Sequence, residues 1–126
     1  MDRFETAILA KSKNPELFLI ISVELNRNEN IEFWNSSELN ELIHKNSIIL
    51  FRIIINEMRE EYDKFISVYG KIDAPSIILI GKGSDYGKIA NKWIKKFPSV
   101  SQLINCIYNG KVDTNECLGS RSRTNR

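Results

Sequence analysis

The chain has 126 residues, of which 42% are hydrophobic and 27% are charged, a composition typical of one ordinary globular domain. Its net charge of +2 arises in residues 111–126, which hold four basic and two acidic side chains, so residues 1–110 are neutral. A neutral body does not have the electrostatic footprint expected of a nucleic-acid-binding protein. No apolar run reaches the roughly 18 residues that span a bilayer, and the charged start of the chain does not resemble a signal peptide.

The chain contains two cysteines, Cys106 and Cys117, and one histidine, His44. Two cysteines are too few for a disulfide framework, and their spacing matches neither a Cys-x-x-C redox pair nor a zinc site. Cys106 lies among apolar positions of the last predicted helix, where we expect it to be partly buried and inert. We therefore predict a cytoplasmic protein with no catalytic residue, no metal and no cofactor.

The first part of the chain predicts a helix and then a buried strand. Amphipathic spacing favours a helix over 3–12, with the stem of Lys11 on its apolar face, and Asn14-Pro15 ends it because the residue before proline avoids the helical region. Residues 17–23 are almost continuously apolar, which indicates a strand covered on both faces. Residues 24–35 are rich in asparagine and charge and predict a loop.

The middle of the chain predicts a helix, a strand and another helix. Ser36 and Ser37 are good N-caps for a short helix with apolar residues on one side. The apolar run over 47–55 predicts a second buried strand. Residues 57–69 carry a helical apolar stripe, which Gly70 is expected to end.

The last part of the chain predicts a hairpin followed by a helix. Pro75 heads a short apolar run, a position that suits a strand because proline donates no ladder hydrogen bond. A turn rich in glycine, serine and aspartate leads to a partner strand at about 86–91. Ser99 and Gln102 form a capping box for a final helix that stops near Gly110. Beyond it, apolar periodicity is lost, which predicts a disordered basic tail over 111–126.

The order of elements is a helix followed by β-α-β-α-β-β-α. Two buried strands joined by a helix are expected to be parallel, with a right-handed crossover, and the last two strands form an antiparallel hairpin. The sequence therefore predicts an α/β domain over 1–110, with a four-stranded mixed sheet and helices on both faces. This is the thioredoxin-like arrangement, whereas a flavodoxin-like fold requires a helix between the last two strands.

Several stretches follow the same course as a known family. They are Ala7-Ile-Leu-Ala-Lys11, Trp34 in the polar loop, Phe65-Ile-Ser-Val-Tyr69 at the end of a helix, and Pro75-Ser-Ile-Ile-Leu-Ile-Gly81. Their order and spacing over residues 5–109 resemble the thioredoxin-like N-terminal domain of erasin-like UBX-domain proteins.

The resemblance implies a function by contact. In that family the domain has a thioredoxin fold without redox cysteines, and it accompanies a UBX domain that docks the valosin-containing AAA ATPase in ubiquitin-dependent degradation at the endoplasmic reticulum. It implies here a non-catalytic protein-interaction domain of a UBX-type adaptor, at the cytosolic face of that organelle. The partners expected are proteins of the ubiquitin pathway or the AAA ATPase, reached through a UBX domain that is not present within these 126 residues.

The resemblance also locates a candidate site. Where redox-active relatives carry Cys-x-x-C, this chain has a tryptophan, an asparagine and two serines, which cap a helix but cannot exchange disulfides. His44 lies about two turns along the same helix and is too distant to activate either serine. The resemblance further implies a cis peptide bond before Pro75, next to the position that the Cys-x-x-C pair occupies in redox-active members of the fold. The candidate partner-binding residues are Phe33, Trp34, Asn35, Ser36, Ser37, Ala74, Pro75 and Ser76.

Alternatives remain at this level. Phe33 and Trp34 either staple onto the first turn of the following helix or form an exposed aromatic patch beside Pro75. The exposed backbone at Ala74 either accepts a partner's strand or is inherited architecture. The function alternatives are a thiol-disulfide oxidoreductase-like protein and a spliceosomal thioredoxin-like assembly protein.

Overall fold

The structure, a computed structural model, describes residues 2–45, 48–81 and 89–109. Each predicted helix and strand is present, with one further short helix. In chain order the elements are α1 (Phe4–Lys13), β1 (Phe18–Glu24), α2 (Ile31–Trp34), α3 (Ser37–His44), β2 (Ile48–Ile54), α4 (Arg59–Tyr69), β3 (Ser76–Ile80), β4 (Ile89–Trp93) and α5 (Val100–Asn109).

The four strands form one mixed sheet in the order β2-β1-β3-β4. β1 and β2 are parallel and in register from Phe18 opposite Ile48 to Glu24 opposite Ile54. β3 is antiparallel to both of its neighbours, β1 and β4. The predicted thioredoxin-like fold class, with a four-stranded mixed sheet, is therefore confirmed.

Alternation along β1 divides the core into two layers, because successive side chains of a strand point to opposite faces. Leu19, Ile21 and Val23 pack into one cluster with residues of α1 and α4. Phe18 and Ile20 pack into the other, with residues of α2, α3 and α5. All seven residues of β1 are buried, which explains the unbroken apolar run in the sequence and confirms that helices cover both faces.

Three local signals behave as the sequence predicts. The Ser36 hydroxyl accepts a hydrogen bond from the Leu39 N–H at 3.3 Å and caps α3. Ser99 and Gln102 form the capping box of α5, with bonds of 3.1 and 2.9 Å. The peptide bond between Ala74 and Pro75 is cis, which confirms the geometry that the resemblance implied.

The structure buries almost the whole side chain of Lys11, whereas the sequence predicts burial of its aliphatic stem alone. Lys11 is 2% exposed, and its ammonium donates to the carbonyls of Pro15 at 2.9 Å and Leu17 at 2.7 Å. Burial lowers the pKa of this ammonium, while the carboxylate of Glu16 acts in the opposite direction. The lysine thereby fixes the turn between α1 and β1, since backbone carbonyls removed from water require a donor.

The structure corrects two boundaries. Residues 24–35 are not all loop: Glu24 is the fully buried last residue of β1, and residues 31–34 form α2. Charged and asparagine residues usually indicate solvent exposure. The carboxylate of Glu24 is buried nevertheless, because it forms an internal ion pair with Arg52. The last strand continues to Trp93, two residues beyond its predicted end at 91, because the side chains of Asn91 and Trp93 are both buried. Residues 82–88 and the predicted tail over 111–126, with Cys117, lie outside the described residues.

Gly70 ends α4 with φ 86° and ψ 170°, a region that is almost restricted to glycine. An added Cβ would meet nothing within 4 Å, so any penalty must come from the backbone itself. We expect Gly70→Ala to lower the free energy of unfolding by about 1–3 kcal/mol, measured by urea denaturation. Ser67→Ala, on the exposed face of the same helix, is the control and should change it by less than about 0.5 kcal/mol. Equal stability of the two variants would contradict the backbone argument.

Candidate functional site at the carboxyl end of β1

The candidate residues lie on two segments that both contact the end of β1. Val23 of β1 lies opposite Ser76 of β3, and the cis bond precedes Pro75 directly. The Lys95 N–H donates to the Ser76 hydroxyl at 2.9 Å, so the connection between β4 and α5 reaches the same place. We call this site the corner: residues 33–37, residues 74–76 and the aromatic ring of Phe97.

A fully buried carboxylate, that of Glu24, lies beneath the corner. Its Oε1 accepts hydrogen bonds from Trp34 Nε1 at 3.0 Å and from Arg52 Nη2 at 3.0 Å. Its Oε2 accepts from Arg52 Nε at 2.9 Å and from the Ser22 hydroxyl at 2.8 Å. Asn30 adds a longer contact to Oε1 at 3.4 Å. The bidentate guanidinium and the neutral donors together compensate for the loss of water around the charge.

Arg52 joins this carboxylate to the aromatic part of the corner. Its guanidinium carbon lies 4.6 Å from the centroid of the Trp34 ring, within the range of a cation–π interaction. It also donates to the carbonyl of Arg27 at 3.0 Å. Trp34 is therefore held by a hydrogen bond at its indole nitrogen and by a cation over its ring face.

Phe33, Trp34 and Phe97 form an edge-to-face cluster. Ring centroids are 4.9 Å apart for Phe33 and Trp34, 5.0 Å for Phe33 and Phe97, and 5.8 Å for Trp34 and Phe97. Trp34 is 8% exposed, whereas Phe33 and Phe97 are half-buried. The patch of two exposed aromatic residues that the sequence left open is not formed, because Glu24 draws the indole N–H inward.

The segment after Trp34 is fixed by its own hydrogen bonds. The side-chain amide of Asn40 donates to the carbonyls of Trp34 at 2.9 Å and Ser36 at 2.8 Å. The Ser36 hydroxyl serves as the cap of α3. Asn35 and Ser37 are exposed, so they present polar side chains on a backbone that is already ordered.

At the start of β3, the residue that supports the corner is different from the residues that reach the surface. Ser76 is fully buried, and its hydroxyl donates to the carbonyl of Asp73 while it accepts from the Lys95 N–H. Ala74 and Pro75 are half-buried and reach the surface. Of the predicted contact residues, Trp34 and Ser76 therefore support the corner from within, and the others retain exposed surface.

The described groups offer no arrangement for thiol or metal chemistry at the corner. Cys106, the one cysteine among the described residues, is more deeply buried on α5 than the sequence predicts, and its sulfur lies 3.8 Å from the side-chain amide of Asn91. Within residues 2–45, 48–81 and 89–109, no three metal-ligating side chains form a cluster. No helix in that part of the chain is both long and apolar enough to cross a membrane.

Sequence reasoning missed the ion pair of Glu24 and Arg52. Part of the signal was present: the first predicted buried strand is flanked by Glu16 and Glu24, and the second contains one charge of opposite sign, Arg52. The parallel register places Arg52 beside Ser22, two residues before Glu24 and on the same face of the sheet. Two opposite charges within reach on adjoining buried strands predict a buried pair.

No protein-family model, curated protein or solved structure matches this chain.

Removal of the Glu24 charge should destabilise the whole corner. Glu24→Gln preserves the shape of the side chain but turns an amide donor toward the donors of Arg52 and leaves that cation without its counter-charge. We expect the free energy of unfolding to fall by roughly 3 kcal/mol, measured by denaturant titration.

The matched control is Glu57→Gln, which breaks an ion pair of the same type, with Arg27 at 2.7 Å, on the surface of the protein. Both partners there are half-exposed, so water replaces the lost contact and we expect no measurable change. If both variants were as stable as the parent protein, the buried pair would not be the support that its geometry indicates.

Proposed function

We propose that this chain is a non-catalytic, thioredoxin-like protein-interaction domain whose corner binds a partner protein. The proposal rests on one observation: the residues that support the corner are different from those that reach its surface. Charged and hydrogen-bonding groups are engaged internally beneath it, while Phe33, Asn35, Ser37, Ala74 and Pro75 reach the surface. Such a surface is suited to contact because the polar groups that support it are already satisfied.

Preorganisation supports this function. The corner is held by the carboxylate of Glu24, the cap at Ser36 and the bond between Ser76 and Lys95. A partner that binds an ordered surface avoids the free-energy cost of ordering it, which is about 0.5–1.5 kcal/mol for each immobilised flexible side chain. Half-buried Phe33 and Pro75 supply apolar contact, and exposed Asn35 and Ser37 supply hydrogen bonds around it, which is the usual composition of a recognition surface.

Chemistry at the corner is disfavoured by the groups that occupy it. Thiol exchange requires a thiolate nucleophile, and serines stand at the start of α3 where redox-active relatives have cysteines. The Ser36 hydroxyl is engaged as a helix cap, and His44 lies exposed at the other end of the same helix. These features support binding over catalysis.

The wider setting follows from the resemblance of residues 5–109 to erasin-like UBX-domain proteins. On that basis we place the domain in a UBX-type adaptor of ubiquitin-dependent degradation, at the cytosolic face of the endoplasmic reticulum. The partners at the corner are then proteins of that pathway, and the AAA ATPase is engaged by the UBX domain of such an adaptor.

The corner can be tested by placing a charge on two of the residues that reach its surface, with circular dichroism as the check that each variant keeps the fold. Ser37→Glu places a carboxylate in the first turn of α3, where the helix dipole favours it, and Ala74→Glu places one beside Pro75. Ser67→Glu adds the same charge to the exposed face of α4 and is the control. In capture experiments quantified by mass spectrometry, we expect proteins bound by the parent chain and the control to be depleted roughly tenfold with both corner variants, about 1.4 kcal/mol. Identical bound proteins with all baits would contradict the proposal.

Catalysis can be tested separately by insulin reduction with dithiothreitol. We expect the parent protein to give the background rate, because no described thiol lies at the corner and Cys106 is buried. Cys106→Ser provides the control. A rate above background that this substitution abolished would assign the chain to the oxidoreductases and replace the binding function.

A further inference from the structure

The two edges of the sheet differ in how they are protected against pairing. β4 is short, its register with β3 shifts between Leu79 and Ile80, and it carries exposed Lys92. β2 pairs with β1 over seven residues without a shift, and it contains no proline, glycine or lysine. Short strands, irregular register and charged side chains, lysine above all, are among the devices that keep sheet edges from pairing. β2 is longer and regular, its one charge, Arg52, is paired with Glu24 of the same chain, and among the described residues no strand lies beyond it.

The hydrogen bonds at the end of β1 show which backbone groups of β2 point outward. The Ile55 N–H donates to the Glu24 carbonyl at 2.8 Å. In a parallel pair, alternate residues of a strand face the neighbour, so residues 49, 51 and 53 also face β1. The backbone groups of Ile48, Leu50 and Arg52 therefore point away from the sheet, and the latter two are the less buried residues of the strand.

At the end of β2, contacts within the chain engage the backbone of Ile54, so the outward-facing residues available for pairing are centred on Leu50. Ile54 also points outward, but its carbonyl accepts from the N–H groups of Glu57 at 2.9 Å and Met58 at 2.7 Å, and its N–H contacts the Met58 sulfur at 3.5 Å. Three residues remain, evenly spaced about Leu50. A second copy of β2, antiparallel to the first and related to it by a two-fold rotation about Leu50, places a backbone carbonyl opposite each outward N–H of these three residues.

Charge and bulk along this edge also favour self-association. Arg52 is neutralised by Glu24, so two copies would not bring unpaired like charges together. Residues 1–110 are neutral, which leaves no net repulsion between two bodies. On the adjacent helix α1, Ile8 and Leu9 lie toward α4, and helical geometry places the small residues Thr6 and Ala10 on the opposite side, toward the edge.

We propose that β2 is an interface between two copies of this chain, which pair antiparallel about a two-fold axis at Leu50. Leu50 lies opposite the Leu50 of the other copy, and Ile48 lies opposite its Arg52, each pair exchanging both backbone hydrogen bonds. Such an interface is isologous, and it closes. A second copy brings its own helices to cover the extended sheet on both faces, which a bare peptide would not. The corner lies at the carboxyl end of β1, so the dimer carries two corners.

The experiment measures the mass of the chain by light scattering and sedimentation over about two decades of concentration. We expect a dimer that dissociates on dilution. Leu50→Pro removes an outward N–H but no bond to β1, which is the position where an edge strand accepts proline. It should be a monomer with unchanged circular dichroism, while Leu50→Ala, which keeps the N–H, should still dimerise. A parent chain that is monomeric throughout would overturn the proposal.

Amide hydrogen exchange on the parent chain provides a second measurement that does not depend on how the proline variant folds. The amides of Leu50 and Arg52 should be protected at high concentration and exchange rapidly on dilution, while those of Phe51 and Ile53 should be protected at both. A dimer in which the Leu50 and Arg52 amides always exchange rapidly would place its interface elsewhere. A monomer in which they are always protected would mean that this chain covers its own edge. Either result would also overturn the proposal.

Discussion

The ion pair between the buried carboxylate of Glu24 and the partly buried guanidinium of Arg52 is the interaction on which the rest of the corner depends. It joins β1 to β2 across the parallel ladder and fixes Trp34 by its indole nitrogen and its ring face. Trp34 in turn packs on Phe33 and Phe97, which places the start of α3 and the connection into α5 relative to each other. A charge pair in a protein interior contributes little net stability compared with apolar packing. Its effect here is to define one arrangement of the elements around it.

The fold could be predicted from the sequence because its signals are local and periodic. Unbroken apolar runs at 17–23 and 47–55 identify strands covered on both faces, and the capping box at Ser99 and Gln102 locates the start of α5. The position of β4 could not be found in this way, since alternation alone does not determine its register against β3, which contains a shift. Short α2 is stabilised by tertiary contacts of Trp34, which propensity does not encode.

The candidate site was only partly accessible to sequence reasoning. The resemblance identified the residues that meet at the corner, and the cis bond before Pro75 agrees with it. It did not separate residues that reach the surface from residues that support it: Trp34 and Ser76 are buried by partners from distant parts of the chain. Glu24 follows an apolar run, and the sequence predicts that it belongs to the following loop, because carboxylates are usually exposed to solvent. Only the register of two strands reveals its counter-ion.

The burial of both tryptophans has a practical consequence. Trp34 and Trp93, the two tryptophans of the chain, are 8% and 9% exposed and belong to the same core cluster. One indole lies against a guanidinium and two phenyl rings at the corner, and the other lies on the last strand. The intrinsic tryptophan fluorescence of the protein therefore originates from one side of the sheet, so its emission spectrum reports directly on that layer and not on the layer formed by α1 and α4.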